Sequence, residues 1–309
     1  MNFIAERNFL KAQILDLDRL LGLTGDDPLM SPGLVSRKQQ MEQRLAQLPA
    51  QPRTPQAILY FAGGPVRGSQ GIDAQFASKM LDAVQDIATA EFLHRKHGAL
   101  GSRGRLPGAP EARLLLTALP RGSFGLELEQ ADASDLIANQ QLGDALQHMA
   151  DLVSAAGESD AAYETALGEA PLRVLPKLRV FFDTLQQNGA QLRLVTGDRE
   201  IALDDRRVAS GVERVRATEA DEETVTLSGS FRGATLNTWR FDFTLDGGEA
   251  ISGRLSDELT EIEVGEMLAR VNQPAIGEFR RGKLQPRGGT PRWSYELLSL
   301  SPRPAALAT

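Results

Sequence analysis

Two copies of one pentapeptide offer the first residues in this chain that could do chemistry: Arg67-Gly68-Ser69-Gln70-Gly71 and Arg121-Gly122-Ser123-Phe124-Gly125. Each sits beside an apolar, strand-like run, and each supplies a cation, a hydroxyl and the backbone freedom of two glycines. A glycine-rich turn between a strand and a helix can cradle an anion on its backbone amides, so Arg67, Gly68, Ser69, Arg121, Gly122 and Ser123 are candidate anion- or ligand-binding residues. The stricter motifs do not fit. Gly63 and Gly68 have P-loop spacing, but Ser69 stands where a lysine must reach the phosphates. A nucleophile elbow needs glycine two residues before the serine, where both copies carry arginine. The dinucleotide-binding pattern of glycines is also missing.

Other side chains offer less. His94 and His97 are spaced like a metal-binding pair on one helical face, but with Arg95 and Lys96 they also complement a helix C-terminus, which requires no ligand. Glu127 and Glu129 alternate on a strand as a solvated face would, and no third ligand accompanies them. Only three histidines exist and none neighbours a serine, so a catalytic triad has no positive support. No catalytic residue, metal site or cofactor is assigned. A hydrolase built from the Ser, Arg and Glu groups around the two turns remains the enzymatic alternative.

Near the C-terminus, residues 271–309 hold six basic against two acidic side chains. Arg280, Arg281, Lys283, Arg287, Arg292 and Trp293 are candidate nucleic-acid contacts, because small barrels bind single strands by aromatic stacking beside backbone-tracking cations. The net charge of −7 over the whole chain argues against a protein that coats nucleic acid with its entire surface.

The elements that must position these residues can be read from periodicity. Phe3, Leu10, Ile14, Leu17 and Leu21, then Leu34, Met41, Leu45 and Leu48, form two narrow helical stripes, predicting a helical hairpin over 1–49 that pairs with the rest of the chain, another copy or a protein partner. A proline-rich stretch from Pro49 to Pro55 reads as a linker. Over 57–220 hairpins alternate with helices, which predicts an α+β domain with a mixed sheet and not a doubly wound nucleotide fold. In that domain Asp73, Ser134 and Ser159 are the expected helix caps, and the hairpin ending at Glu129 is expected to keep one face wet.

Three strands, a helix capped by Ser256 and two more strands over 221–301 predict a small five-stranded β-barrel, OB-like or SH3-like. The run from Tyr60 to Gln85, together with Leu116 to Glu129, resembles bacterial proteins that join an α/β front half to a small C-terminal β-barrel. That resemblance implies this architecture and transfers neither a function nor a residue role; a mobile-element or phage-defence setting is a separate expectation.

The absence of cysteine excludes disulfides and thiolate chemistry and fits a reducing compartment. The first residues do not read as a signal peptide and no window is apolar enough for a membrane helix, so a cytoplasmic location is expected. The expected function is binding or regulation without catalysis, through self-association or a protein partner at the hairpin. Single-stranded nucleic acid on the barrel is the alternative.

Overall fold

The computed structural model describes residues 54–98, 108–120, 124–132, 134–236 and 238–303, together with 31–47 and positions 9–10, 13–14, 16–18 and 20–21. In the N-terminal region the described positions between 9 and 21 are helical, and α1 (Ser31–Gln47) follows, tied back by the ion pair of Lys38 Nζ with Asp18 Oδ1 at 2.6 Å. Residues 22–30, which join the two stripes of the predicted hairpin, and most of the Pro49–Pro55 stretch lie outside the described residues.

The chain is mixed α and β. A five-stranded antiparallel sheet forms around β1 (Gln56–Gly63), which pairs with both β5 (Phe124–Gln130) and β6 (Ala190–Thr196). The outer strands are β4 (Leu114–Ala118) and β7 (Arg199–Leu203), giving the order β4-β5-β1-β6-β7. Its two hairpins, β4–β5 and β6–β7, fall where apolar alternation meets a Gly-containing turn, as the sequence predicts. A two-stranded ribbon of β2 (Val66–Arg67) and β3 (Gly71–Ile72) follows β1.

Alternation sends Leu59, Phe61, Leu126, Leu128, Leu192 and Leu194 to one face, where they share a core with α2 (Ala74–His97), α3 (Leu136–Glu158), α5 (Val174–Gln187) and α6 (Asp205–Ala217). Phe61 and Phe76 meet edge to face at 5.1 Å. Each fully buried Leu or Phe contributes roughly 1.5–3 kcal/mol before chain entropy is subtracted. The other face is wet only in part. Glu127 is buried beside the smaller cluster of Ile58, Tyr60 and Val195, with Ile58 as its cross-strand neighbour, whereas Arg193 and Glu200 on the same face are exposed.

Helix starts follow the strongest acceptor available. Asp73 Oδ1 accepts from Phe76 N at 2.8 Å and opens α2, as expected. At α3 the cap is Asp135, whose Oδ1 accepts from Ile137 N at 2.8 Å; Ser134 is held one step earlier, its own N–H donating to Asp132. Ser159 caps α4 (Asp160–Leu167), as read from the sequence.

Below α4 the Tyr163 ring is buried and its hydroxyl meets Thr218 Oγ1 at 3.4 Å. Burial pushes the Tyr163 phenol up to about 12, from 10. The neutral phenol therefore adds stability that is complete below pH 10 and is lost as pH rises through about 12. We expect denaturant midpoints to fall across that window, and Tyr163→Phe to flatten the fall.

The remaining strands close a barrel in the order β10-β12-β11-β8-β9: β8 (Glu219–Thr235), β9 (Arg240–Leu245), β10 (Ala250–Leu255), β11 (Pro274–Gln285) and β12 (Arg292–Pro302). Its neighbours run antiparallel except β10 and β12, which meet in parallel at Arg254–Leu255 and Glu296–Leu297. Phe279 is ringed by Phe241 at 5.4 Å, Phe243 at 5.2 Å and Tyr295 at 6.4 Å.

α7 (Glu261–Leu268) plugs the barrel with Val264 and Met267. It starts at Thr260, not Ser256. Thr260 and Glu263 form a reciprocal capping box, whereas Ser256 N donates to Leu297 O at 2.9 Å and so belongs to the barrel seam. β8 runs to 17 residues because β11 pairs with it from Pro274 to Gln285.

The barrel is fixed onto the helices. Leu284 of β11 joins the helix-side core. Thr290 N donates to Glu164 Oε1 at 2.8 Å, and Arg292 Nη1 donates to Leu167 O at 3.3 Å and Ala170 O at 2.7 Å.

Candidate functional site

The first pentapeptide lies at the tip of the β2–β3 ribbon, where Gln70 N donates to Arg67 O at 3.0 Å and Arg67, Gly68 and Ser69 are all exposed. Arg121, Gly122 and Ser123 lie outside the described residues. Phe124 pairs with Phe61, so the two runs enter the sheet at the same end. The final glycine of the second run has a packing reason: a Cβ at Gly125 would come within 2.8 Å of Pro120 Cγ and 3.1 Å of Tyr60 Cδ1. Glu127, buried under the opposite face of the sheet, is not presented to a ligand there.

The basic stripe is largely neutralised. Arg280 Nη1 meets Glu296 at 2.6 Å and its Nε lies 3.7 Å from Glu222. Arg281 donates twice to Glu223 Oε1, at 2.6 and 3.1 Å, with its guanidinium stacked 4.6 Å from the Trp293 ring. Arg287 pairs with Glu213 at 3.2 Å, and Lys283 lies opposite Asp221 in the β8–β11 register. A charge count over 271–309 misses these carboxylates because most of them sit on β8 and α6.

A different constellation lies between the helices and the barrel. The last turn of α2 (His94 to His97) and Gly98 face Thr238, Arg240, Ser252 and Gly253 of the barrel across a cleft of about 770 Å³. Its remaining walls are Gln141 and Asp144 of α3, Gly168 and Glu169 after α4, and Arg292 to Tyr295 of β12. Arg240 reaches the end of the helix, since a Cβ at Gly98 would lie 3.6 Å from its Nη1. Lys96 is bound to Glu111 at 2.5 Å. Arg95 and Arg240 are exposed and make no ion pair among the described residues. Trp293, 41% exposed, presents a ring to the same space.

Two imidazoles line this cleft, and both are held below the ordinary histidine value. Burial lowers His94, helped by Arg292 and Arg95 and opposed by Glu91 and the Gly98 carbonyl. Burial also lowers His97, with Arg254 and Lys96 adding to it against Asp257 and Glu111. His94 Nδ1 is 2.9 Å from Gly98 O. A carbonyl can only accept, so Nδ1 carries the proton and Nε2 of the neutral ring keeps its lone pair.

Beneath the cleft the third histidine is buried: His148 Nδ1 donates to Glu91 Oε2 at 2.8 Å, and its Nε2 lies 3.8 Å from Glu169 Oε2. His148 follows Gln141 and Asp144 at intervals of seven and four, so one stripe of α3 carries the cleft wall down to this pair. Sequence reading missed Arg95, Arg240, Glu91 and His148. The one available signal was the scarcity of histidine.

A second cavity, of about 630 Å³, opens beside α4, α6 and the β11–β12 loop. Its charges are paired, Arg214 with Asp160 at 2.6 Å and Arg287 with Glu213 at 3.2 Å, which leaves less to recruit a charged ligand. No grouping of three His, Asp or Glu suited to a metal ion occurs among the described residues. No helix among them is long and apolar enough to cross a membrane. No protein-family model, curated protein or solved structure matches the chain.

Proposed function

We propose that the protein binds single-stranded nucleic acid in the cleft between the helices and the barrel. The observation that carries this reading is the pairing of uncompensated cations, Arg95 and Arg240, with the exposed Trp293 ring in one cavity of about 770 Å³. Phosphates meet the guanidiniums of Arg95, Arg240 and Arg292, and a base stacks on Trp293. The barrel's connectivity supports it: taking the strands in order, the first pairs with the second, the second with the third, the third with the fifth, the fifth with the fourth and the fourth with the first. The helix falls between third and fourth, which is an OB-like arrangement. Barrels of that kind take ligands over the second and third strands and the adjoining loops. Here those places are held by Arg240, Ser252, Gly253 and Thr238.

Fluorescence anisotropy with a labelled strand of about ten nucleotides tests the proposal. With three phosphates neutralised, log affinity falls against log salt with a slope of about −2. Trp293→Ala weakens binding by about 1–3 kcal/mol, and Arg240→Ala reduces the slope. Arg287→Ala, whose charge is already matched by Glu213, leaves both unchanged. Absence of binding at low salt overturns the reading.

A second reading, association through the N-terminal helices, is favoured by α1, whose Leu34, Met41 and Leu45 stay half-buried along one stripe. Light scattering should then show an oligomer for the full chain and a monomer for a chain beginning at Gln56. Equal masses for the two would end it.

A further inference from the structure

The chain has three histidines, and all three gather at this cleft, two in its wall and one beneath its floor. We propose that the cleft cleaves RNA through the 2′-hydroxyl next to the scissile phosphate, with His94 as general base and His97 as general acid. The inference rests on the single-strand reading above and adds the sugar that the site requires.

His94 and His97 stand three residues apart on α2, which places their Cβ atoms roughly 5–6 Å apart on one face. Both residues line the cleft, so a phosphate seated in it lies beside two imidazole-bearing positions of one helical turn. The His94 tautomer is set by the Gly98 carbonyl, leaving Nε2 as the basic atom. Arg292 lies close enough to His94 to act on its charge state, and Arg240 closes the same end of the cleft. Both guanidiniums are placed to meet charge that develops on the non-bridging phosphate oxygens.

In the step, the 2′-hydroxyl proton passes to His94 Nε2 and the O2′–P bond forms. The P–O5′ bond breaks, and the leaving O5′ takes a proton from the His97 imidazolium. The products are a 2′,3′-cyclic phosphate and a 5′-hydroxyl, with no oxidant, metal or co-reactant consumed. DNA lacks the attacking hydroxyl, so it binds and stays intact.

The pH dependence has a definite sign. His94 faces Glu91, Arg292 and Arg95, and His97 faces Arg254, Lys96, Asp257 and Glu111; in both the balance with burial favours the neutral ring. A neutral base suits His94, but the acid must be protonated. The rate therefore peaks on the acidic side of 6.5, the unperturbed histidine value, and falls toward neutral pH.

The test uses the full chain with EDTA present, a labelled RNA of about ten nucleotides, and the same strand as DNA and as 2′-O-methyl RNA. Anisotropy reads binding and gel electrophoresis with mass spectrometry reads the products. The expected result is binding of all three strands, a 2′,3′-cyclic phosphate from RNA alone, and a loss of about 10²–10⁴-fold in cleavage rate for His94→Gln or His97→Asn. The 2′-O-methyl strand should still bind those variants, which shows that they are folded.

RNA that binds but stays intact from about pH 4.5 to about pH 8 overturns the inference and leaves the single-strand reading standing. So does cleavage of DNA or of 2′-O-methyl RNA, cleavage that EDTA abolishes, or cleavage that survives in the double variant. If no strand binds, both readings fall.

Discussion

Replacing His148 by leucine should lower the unfolding free energy by about 3–5 kcal/mol. The substitution leaves the Glu91 carboxylate, which is 0% exposed, without the imidazole that now donates to it at 2.8 Å. Among the described residues Glu91 Oε1 has no hydrogen-bond partner, so the carboxylate depends on Oε2 for its satisfaction. A loss of that size is a large share of the roughly 5–15 kcal/mol by which such domains are stable.

Replacing both residues by leucine should return most of the loss, because exchanging a whole buried pair for apolar side chains is often neutral or stabilising. Urea midpoints of the two single variants and the double give the coupling energy. A cost below about 1 kcal/mol for His148→Leu, or simple additivity in the double, would show that the pair does not hold this part of the fold.

Gly253→Val should open the barrel. A Cβ at Gly253 would stand 2.0 Å from Tyr295 O and 2.9 Å from Phe241 Cε1, and a backbone oxygen in a strand cannot move aside cheaply. The position adjoins the short parallel seam in which Arg254 and Leu255 meet Glu296 and Leu297. Overpacking of this kind costs about 3 kcal/mol or more when backbone must shift.

We expect amide hydrogens of residues 254–255 and 296–297 to exchange faster and, if the proposed single-strand reading holds, binding to fall with them, since Gly253 and Tyr295 also line the cleft. Gly247→Ala, at a turn where an added Cβ meets nothing within 4 Å, serves as the neutral control. Protection of the seam equal to that of the parent chain would refute the close-approach argument.

Local structure was legible wherever one side chain or one period decides it. The Asp73 cap, the β4–β5 and β6–β7 hairpins, α6 and the five barrel strands follow from turn chemistry and alternation acting over a few residues. The misplaced starts of α3 and α7 came from competition between neighbours. Asp135 is a better acceptor than a serine already committed to Asp132, and Ser256 is consumed by the seam with Leu297. The basic stripe over 271–309 was a true count of one segment, but cross-strand pairing with β8 supplies Glu222 and Glu223 to Arg280 and Arg281, which the count could not include.

The repeated Arg-Gly-Ser-x-Gly was the most visible pattern in the chain, and its described half proves to be an exposed ribbon tip whose geometry suits a turn. The cleft had no comparable signature. Its walls come from residues near 94–98, 141–144, 168–169, 238–253 and 292–295, brought together only when the barrel docks on the helices.

Sequence alone therefore determined the elements, the mixed α and β class and the five-stranded barrel, because propensity, capping and alternation act between residues a few positions apart. The tertiary structure alone decided which charges are cancelled, and that His148 packs beneath the cleft that His94 and His97 line. Those outcomes depend on distances between residues more than fifty positions apart, such as Glu91 and His148, which no local pattern encodes.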